Sequence, residues 1–447
     1  MRKAPIRVLL ASVALLVASC SGAAGGGGGG GSEPGAAPAK DANLTLVVYS
    51  KFTDREEKAV TAALQSFTKK YPNIKIDHKG NQDDDKLTQS IQSGSAPDVA
   101  ISFFSDNLGN WCLSGAFQDM KPYIDRDKTD LSVIPKQVLD YTQYNGKQCS
   151  LPFLADVYGF YYNKDLLAQA GYNAPPKTTA ELLEYTKKIT KFAADGSIEV
   201  AGFIPSMPFY ANEAQIWAPM TGAKYMNGPD GKSNMAGSPE WKELFEFQKQ
   251  LVDFYGKDKL ERFKAGLGDQ YSPDNAFHKG KLAMMLDGEY RNAFIADTAP
   301  NLNYGTAPVP VSPSRTASYG GGYSTGTIIG IPKGVKNPGA SWELIKHVTF
   351  DTDTLVELSN QIKNLPSTTE SLKSPNLKVN DQFKTFLDMY GSGKLQSNPA
   401  TPVNAAAIKA ANDFASRWVA GQEPDLAAGL AKVDAQINDE LAQKLGK

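Results

Sequence analysis

The chain has 447 residues, enough for two domains, and 41% of them are hydrophobic with 10% aromatic. Its formal net charge is −1, and without Arg2, Lys3 and Arg7 the remainder holds 44 basic against 48 acidic residues. That balance excludes nucleic acid and anionic membrane surface as natural partners. No stretch beyond the N-terminal segment approaches the roughly 18 apolar residues that a membrane-spanning helix needs.

Arg2, Lys3 and Arg7 precede the apolar run Val8–Val17, the charged start and short core of a secretory signal. Val17-Ala18-Ser19-Cys20 resembles the bacterial lipobox, in which the Cys is lipidated and becomes the first mature residue. The alternative is an ordinary cleaved signal with Cys20 left as a thiol. Seven glycines, Gly25–Gly31, and a Ser/Pro/Ala-rich stretch to Lys40 cannot bury enough apolar surface to fold. We therefore expect a signal over 1–19 and a lipidated flexible tether over 20–41, with a reach of roughly 25 Å. Lipidating Cys20 leaves Cys112 and Cys149 as an even pair outside the cytoplasm, where a disulfide is the default and two buried thiols the alternative. No Cys/His ligand spacing occurs, and His78, His278 and His347 are far apart, so neither a metal nor a cofactor is expected.

Leu44–Tyr49 reads as a buried parallel strand. Thr53-x-x-Glu56 is a capping box that opens a helix with Val60, Ala63, Leu64 and Phe67 on one face. A second strand at Ile74 and Ile76, a helix over Asp85–Gln92 and a third strand over Asp98–Phe103 complete a β-α-β-α-β order, which implies a parallel sheet. Ligands of such sheets bind beyond the carboxyl ends of the strands, at the loops after Tyr49 and Phe103. A second unit starts near Asp156, with a strand over Tyr158–Asn163 and a helix capped by Thr178 and Glu181. Further strands are predicted at Gly202–Pro205, Leu282–Leu286 and Thr327–Ile331. Helices are predicted at Trp241–Tyr255, at Pro338–Phe350 and from Asn404 to the end, broken at Pro424.

Leu151-Pro152-Phe153 and the following YGFYYNKDLLAQAGYNAPPKTTAELLEYTKKIT resemble a signature of the family 1 bacterial extracellular solute-binding proteins. These are the maltose-binding-protein-like receptors of ABC importers. AFHKGKLAMMLDGEY, GGYSTGTIIGIPKGVKNPGASWELIKH, PDVAISFFSDNLGNWCLSGAFQDMKPYI and LPSTTESL match further blocks of the same family. The resemblance implies an α/β fold of two lobes, each a mostly parallel sheet flanked by helices, with the ligand cleft between them. It divides the chain into an N-terminal lobe, 42–154 with 323–364, and a C-terminal lobe, 155–322 with 365–447. Crossovers fall near Pro152–Val157, Gly321–Gly326 and Lys363–Ser367.

The resemblance also nominates ligand contacts. Asp106 and Asn107 follow the third strand, and Asp156 follows the first crossover; a carboxylate accepts charge-assisted bonds from two adjacent hydroxyls. Glu289 and Tyr290 sit where the family commonly stacks a Trp, and an aromatic face offers a pyranose a broad apolar contact. Trp217, Tyr323 and Phe52 complete the set; the alternatives are a helix N-cap for Asp106, a hinge salt bridge for Asp156, a core ring for Tyr290 and core packing for Trp217. The implied protein is a monomeric binding lipoprotein on the outer side of the cell membrane. It captures an oligosaccharide, delivers it to the transmembrane subunits of a permease and performs no catalysis. The rival readings are a phosphate-ester ligand, for which Lys51 and Arg291 lie near the site loops, and a secreted glycosidase using Asp106, Asp156 and Glu289. Gly322-Tyr323-Ser324-Thr325-Gly326 matches the nucleophile-elbow pattern but runs into a predicted strand instead of a helix.

Overall fold

A computed structural model describes residues 34–205, 212–226 and 231–446. Cys20 and the signal segment lie outside the described residues. Within the stretch read as tether, Gly35 is already placed. Its N–H donates to Tyr123 Oη at 3.2 Å, and Arg126 Nη1 donates to its carbonyl at 2.6 Å. A Cβ on Gly339 would fall on the Ala36 carbonyl, so the missing side chain there lets the strand of tether lie flat. Packed structure therefore begins before residue 42.

The opening strands are β1 (Leu44–Ser50), β2 (Ile74–Lys79) and β3 (Val99–Ser102), and β1 pairs parallel with both neighbours, as the element order requires. The next strand, β4, runs over Leu151–Asn163, about twice the predicted length. Its residues are buried on both faces, so there is no polar/apolar alternation to mark where it begins. Pro152 is accommodated at a register shift between Pro152 and Leu154. A small hairpin, β5 (Lys191–Phe192) and β6 (Ile198–Val200), stands apart. The strand expected at Gly202–Pro205 reduces to an isolated bridge between Ala201 and Leu282. The remaining strands are β7 (Met284–Gly288), β8 (Tyr304–Ala307), β9 (Tyr323–Gly330) and β10 (Leu365–Pro366).

One sheet joins β10-β4-β9-β3-β1-β2, with β7 and β8 also paired to β4. Beyond β3 all pairings are antiparallel. The first half of β4 pairs with β9 and β10; its second half, from Tyr158, pairs with β7 and β8. β4 and β9 thus run side by side through the middle of the molecule. Gly322 enters β9 under the Tyr158 carbonyl, where a Cβ would sit 2.1 Å away, so any other residue would force the two strands apart.

Three apolar clusters surround this sheet. Leu46, Val60, Leu64 and Phe67 pack with Ile329 and Trp342 beside β1. Trp217, Trp241, Phe245, Phe414 and Leu430 form a helical cluster on the other side. Val157, Tyr161, Trp111 and Phe386 belong to a third beneath β4. Cys112 and Cys149, with Cα atoms 5.7 Å apart, are joined in a disulfide inside that third cluster.

Candidate ligand cleft

A cavity of about 350 Å³ opens at the carboxyl ends of β1 and β3. Lys51 and Phe52 follow β1, and Phe103 and Phe104 follow β3, so both loops singled out by the strand order line it. Its floor comes from Asp156 and Tyr158 of β4, Thr327 of β9, and Asn364 just ahead of β10. Its far wall is Tyr290 with Tyr271 and Phe294. Aromatic rings therefore face a carboxylate floor, the combination that suits a polyhydroxylated ligand with apolar faces.

Asp156 is buried, its Oδ1 accepting a hydrogen bond from Asn364 Nδ2. Burial is the largest cause pushing its pKa up to about 7. Glu289 is fully buried behind it: Oε2 accepts from the Val157 N–H at 2.7 Å, and its carboxyl lies against that of Asp156. Burial, and then the charge of Asp156, hold Glu289 well above the ordinary carboxylate range. Glu289 thus supports Asp156 from within and is not among the residues that line the cavity. Tyr290 does line the cavity, edge-on to Tyr158 with ring centres 6.1 Å apart. Phe52 lines it too, edge-on to Phe103 at 4.5 Å.

The first turn of the helix Asp54–Ser66 forms the rim. Thr53 has cap-like extended dihedrals but makes no side-chain cap bond, and Asp54 adopts a left-handed φ of 52°. A non-glycine residue there carries strain, which clusters at functional sites. Glu56 faces the cavity and is pushed up chiefly by burial, against the opposing pull of Arg55 and Arg291. Arg55 pairs with Asp297 at 3.2 Å, and its Nη1 donates to the Gln361 carbonyl.

The other nominated residues fall into a second region. Asp106 is half-buried and accepts no hydrogen bond among the described residues. Burial, followed by the charges of Glu213 and Asp84, raises it to about 7. Asn107 spends its amide on Asp84 Oδ2 at 2.9 Å, alongside Ser102 Oγ at 3.0 Å, so it braces the loop. Tyr323 is 2% exposed; its Oη donates to Gln215 and accepts from Asn398, which places it under Tyr158 and off the cavity surface. Trp217 is fully buried between Phe203 and Phe247, its Nε1 donating to Asn212. Of the two readings of Trp217, the structure shows core packing: its short helix Ala214–Trp217 is buried along its whole length. Tyr225 Oη, Thr401 Oγ1 and Asn404 Nδ2 are buried here without partners, and Tyr225 and Asn404 line a further cavity of about 290 Å³.

Several wall residues escaped the sequence reading. Tyr158 looked like strand interior, Glu56 like a helix cap, and Tyr271 and Phe294 sit in segments without a recognisable motif. Ser324 of the elbow-like pattern lies inside β9, and His347 is bonded to Ser66, so no hydrolase triad is assembled there.

The bacterial extracellular solute-binding protein model matches residues 62–385, and the chain belongs to this family. It is 23% identical over 353 residues to a maltotriose-binding protein of Pyrococcus abyssi, covering 78% of this chain and 71% of that one. It is 28% identical to a maltooligosaccharide ABC transporter solute-binding lipoprotein of Streptococcus pneumoniae, covering 67% and 66% of the two chains. Among solved structures, CpMnBP1 with mannotriose bound superposes with a TM-score of 0.80 at 24% identity, over 88% of this chain and all of the other. The sugar-binding protein MalE of Xanthomonas citri gives 0.71 at 21% identity, over 90% of this chain and 98% of that one. These likenesses show the two-lobed α/β solute-binding fold. Family membership places the chain outside the cytoplasm.

Proposed function

We propose that this protein captures an oligosaccharide in the cavity at the ends of β1 and β3 and delivers it to the transmembrane subunits of an ABC permease. The observation that carries this reading is the Asp156 floor beneath Phe52, Phe103, Tyr158 and Tyr290, acceptor and stacking rings in one cavity. The named sugars of the relatives agree with it. Lobe boundaries follow the β4, β9 and β10 connections, so a ligand that touches both walls favours the closed arrangement. Asp106, with Glu213 and Tyr225 nearby, extends the site for a longer chain. Cys20 is the proposed lipid attachment point and keeps the receptor near its permease as a monomer.

Of the cations that the phosphate-ester reading names, Arg291 is paired with Asp287 at 2.6 Å and does not line the cavity, while Lys51 shares it with the carboxyls of Asp156 and Glu56. Among the carboxyls that the glycosidase reading nominated, Glu289 is sealed behind Asp156, so these two do not flank a glycosidic oxygen.

A thermal-shift series with maltotriose, mannotriose and glycerol phosphate tests this proposal. The true ligand class raises Tm by mass action. A rise with a trisaccharide is expected; a rise with the phosphate ester alone, or release of shorter sugars during incubation, overturns it. Loss of lipid labelling in Cys20→Ala, with labelling intact in the parent, tests the anchor.

A further inference from the structure

Arg291 is a fully buried arginine that the binding reading leaves unused, and its surroundings are unusual. Its Nε donates to Asp287 Oδ2 at 2.6 Å, and both side chains are almost wholly shut off from solvent. Its Nη1 reaches out of the core to the main-chain carbonyl of Gln270, also at 2.6 Å. The guanidinium lies 5.6 Å from the centre of the Tyr271 ring and 5.3 Å from that of Phe294. Those rings are 5.2 Å apart and both line the cavity. Nη2 is buried with no hydrogen-bond partner, so this side of the fork contributes through its flat face.

The segment 266–275 that carries Tyr271 has no helix or strand of its own, and Tyr271 is 46% exposed. Turn hydrogen bonds through Asp269, Ser272 and Asn275 shape it from within. A buried ion pair is a costly substitute for apolar packing, since desolvation consumes most of the Coulomb attraction. An arginine fork, however, binds a carboxylate and a carbonyl at fixed angles and stacks on rings at the same time, which neither lysine nor an aliphatic residue can do.

We propose that Arg291 is a positioning residue that locks the Tyr271 segment against Phe294 and so sets the outer aromatic wall of the cavity. The proposal rests on the oligosaccharide reading for its consequence: a fixed wall selects which sugar face can stack, and a loose wall relaxes that selection. Asp287 is the internal counter-charge. Its Oδ1 is held by the Gly288 N–H, so the pair is rooted in β7.

The test compares hydrogen exchange in the full-length protein, wild type against Arg291→Lys and against Asp287→Asn/Arg291→Met. The second variant removes both charges together, so no unpaired carboxylate is left to unfold the chain. In each variant the amides of 266–275 should exchange about tenfold faster, while those of β4 and β9 stay within about twofold of wild type. Unchanged exchange in the segment overturns the proposal and leaves Arg291 as a simple counter-ion to Asp287. A uniform acceleration that includes β4 and β9 also overturns it, because Arg291 is then a general core residue.

Affinity for maltotriose or mannotriose adds a second reading. Arg291→Lys should weaken whichever trisaccharide binds by about fivefold to tenfold in wild type and by less than about twofold in a Tyr271→Ala background. Additive losses would show that Arg291 does not act through Tyr271. Failure of both sugars to bind would bear on the proposed function, while the exchange measurement would still decide this one.

Discussion

Thr53-x-x-Glu56 and Thr178-x-x-Glu181 carry the same local signal, and the molecule uses them differently. At the second, Thr178 Oγ1 accepts from the Glu181 N–H at 3.2 Å and Glu181 Oε2 accepts from the Thr178 N–H at 3.1 Å, a complete capping box. At the first, no side-chain cap bond forms, Asp54 turns left-handed, and Glu56 faces the cavity. Local preference decides the outcome where nothing else competes for the residues. Where the chain borders the cleft, the same residues are drawn into the site and the helix start loses its cap. Changes in scaffold residues should therefore move stability alone, and changes in cleft residues should move affinity.

The largest effect expected is on the scaffold. Replacing Cys112 and Cys149 by Ser opens a loop with a sequence separation of 37 residues. By the chain-entropy estimate that costs about 4 kcal/mol of stability. Denaturant unfolding should show the loss while trisaccharide affinity at low temperature stays unchanged. An affinity loss in the folded variant would mean that the bridge shapes the cleft.

Next comes the floor. Asp156→Ala removes a charged acceptor and should cost about 2–3 kcal/mol of binding, on the order of 100-fold in Kd. Its stability should hold or improve, because a desolvated carboxyl is removed. Titration calorimetry with the trisaccharide that binds wild type checks this, and a loss below about threefold would take Asp156 out of the site.

These two cases also mark how far the sequence could be read. The β1–β3 order, the site loops after β1 and β3, and the Cys112/Cys149 pair were legible because each rests on short-range pattern or simple counting. Asp156 and Tyr290, nominated through family motifs, both line the cavity. The depth of Glu289 was not legible: whether a carboxyl faces the cavity or hides behind its neighbour depends on β7 pairing with β4, a contact across more than 120 residues. Trp217 stayed open between two readings for a related reason, since a Trp beside a loop has the same sequence appearance whether it lines a cleft or fills a core. Tyr271 left no signal, because a turn segment without periodic apolar residues does not show in sequence which wall it meets, and its ring contact with Phe294 is long-range.

The third effect is a pH dependence. Asp106 is raised to about 7, so the folded chain holds a proton that the unfolded chain releases near the ordinary Asp value of about 4. Stability from this group is therefore present below that lower value, is lost as pH rises through the window, and stays lost above 7. Histidines act in the opposite sense, since His278 is lowered to about 4, chiefly by burial, and stays neutral in the fold. Comparing wild type with Asp106→Asn cancels them. The variant's advantage in unfolding free energy should grow between pH 4 and pH 7 by on the order of 1 kcal/mol, discounted for the half-exposed position. A difference that is flat across that window would show that Asp106 ionises normally.

The smallest effect tests the two helix starts directly. Thr178→Ala removes a formed cap and should cost about 1 kcal/mol. Thr53→Ala removes a hydroxyl with no cap bond to lose, so it should cost no more than a few tenths of a kcal/mol. The Glu partners should show the reverse ranking in binding, with Glu181→Ala silent and Glu56→Ala weakening the trisaccharide. Glu56 is held protonated more readily than an ordinary Glu because burial raises it, so at lower pH it can donate to a sugar hydroxyl, whereas its carboxylate only accepts. Glu56→Gln, a neutral donor of similar shape, should therefore bind better than Glu56→Ala. Equal stability losses at the two threonines would mean that the helix at the cleft is capped in solution after all.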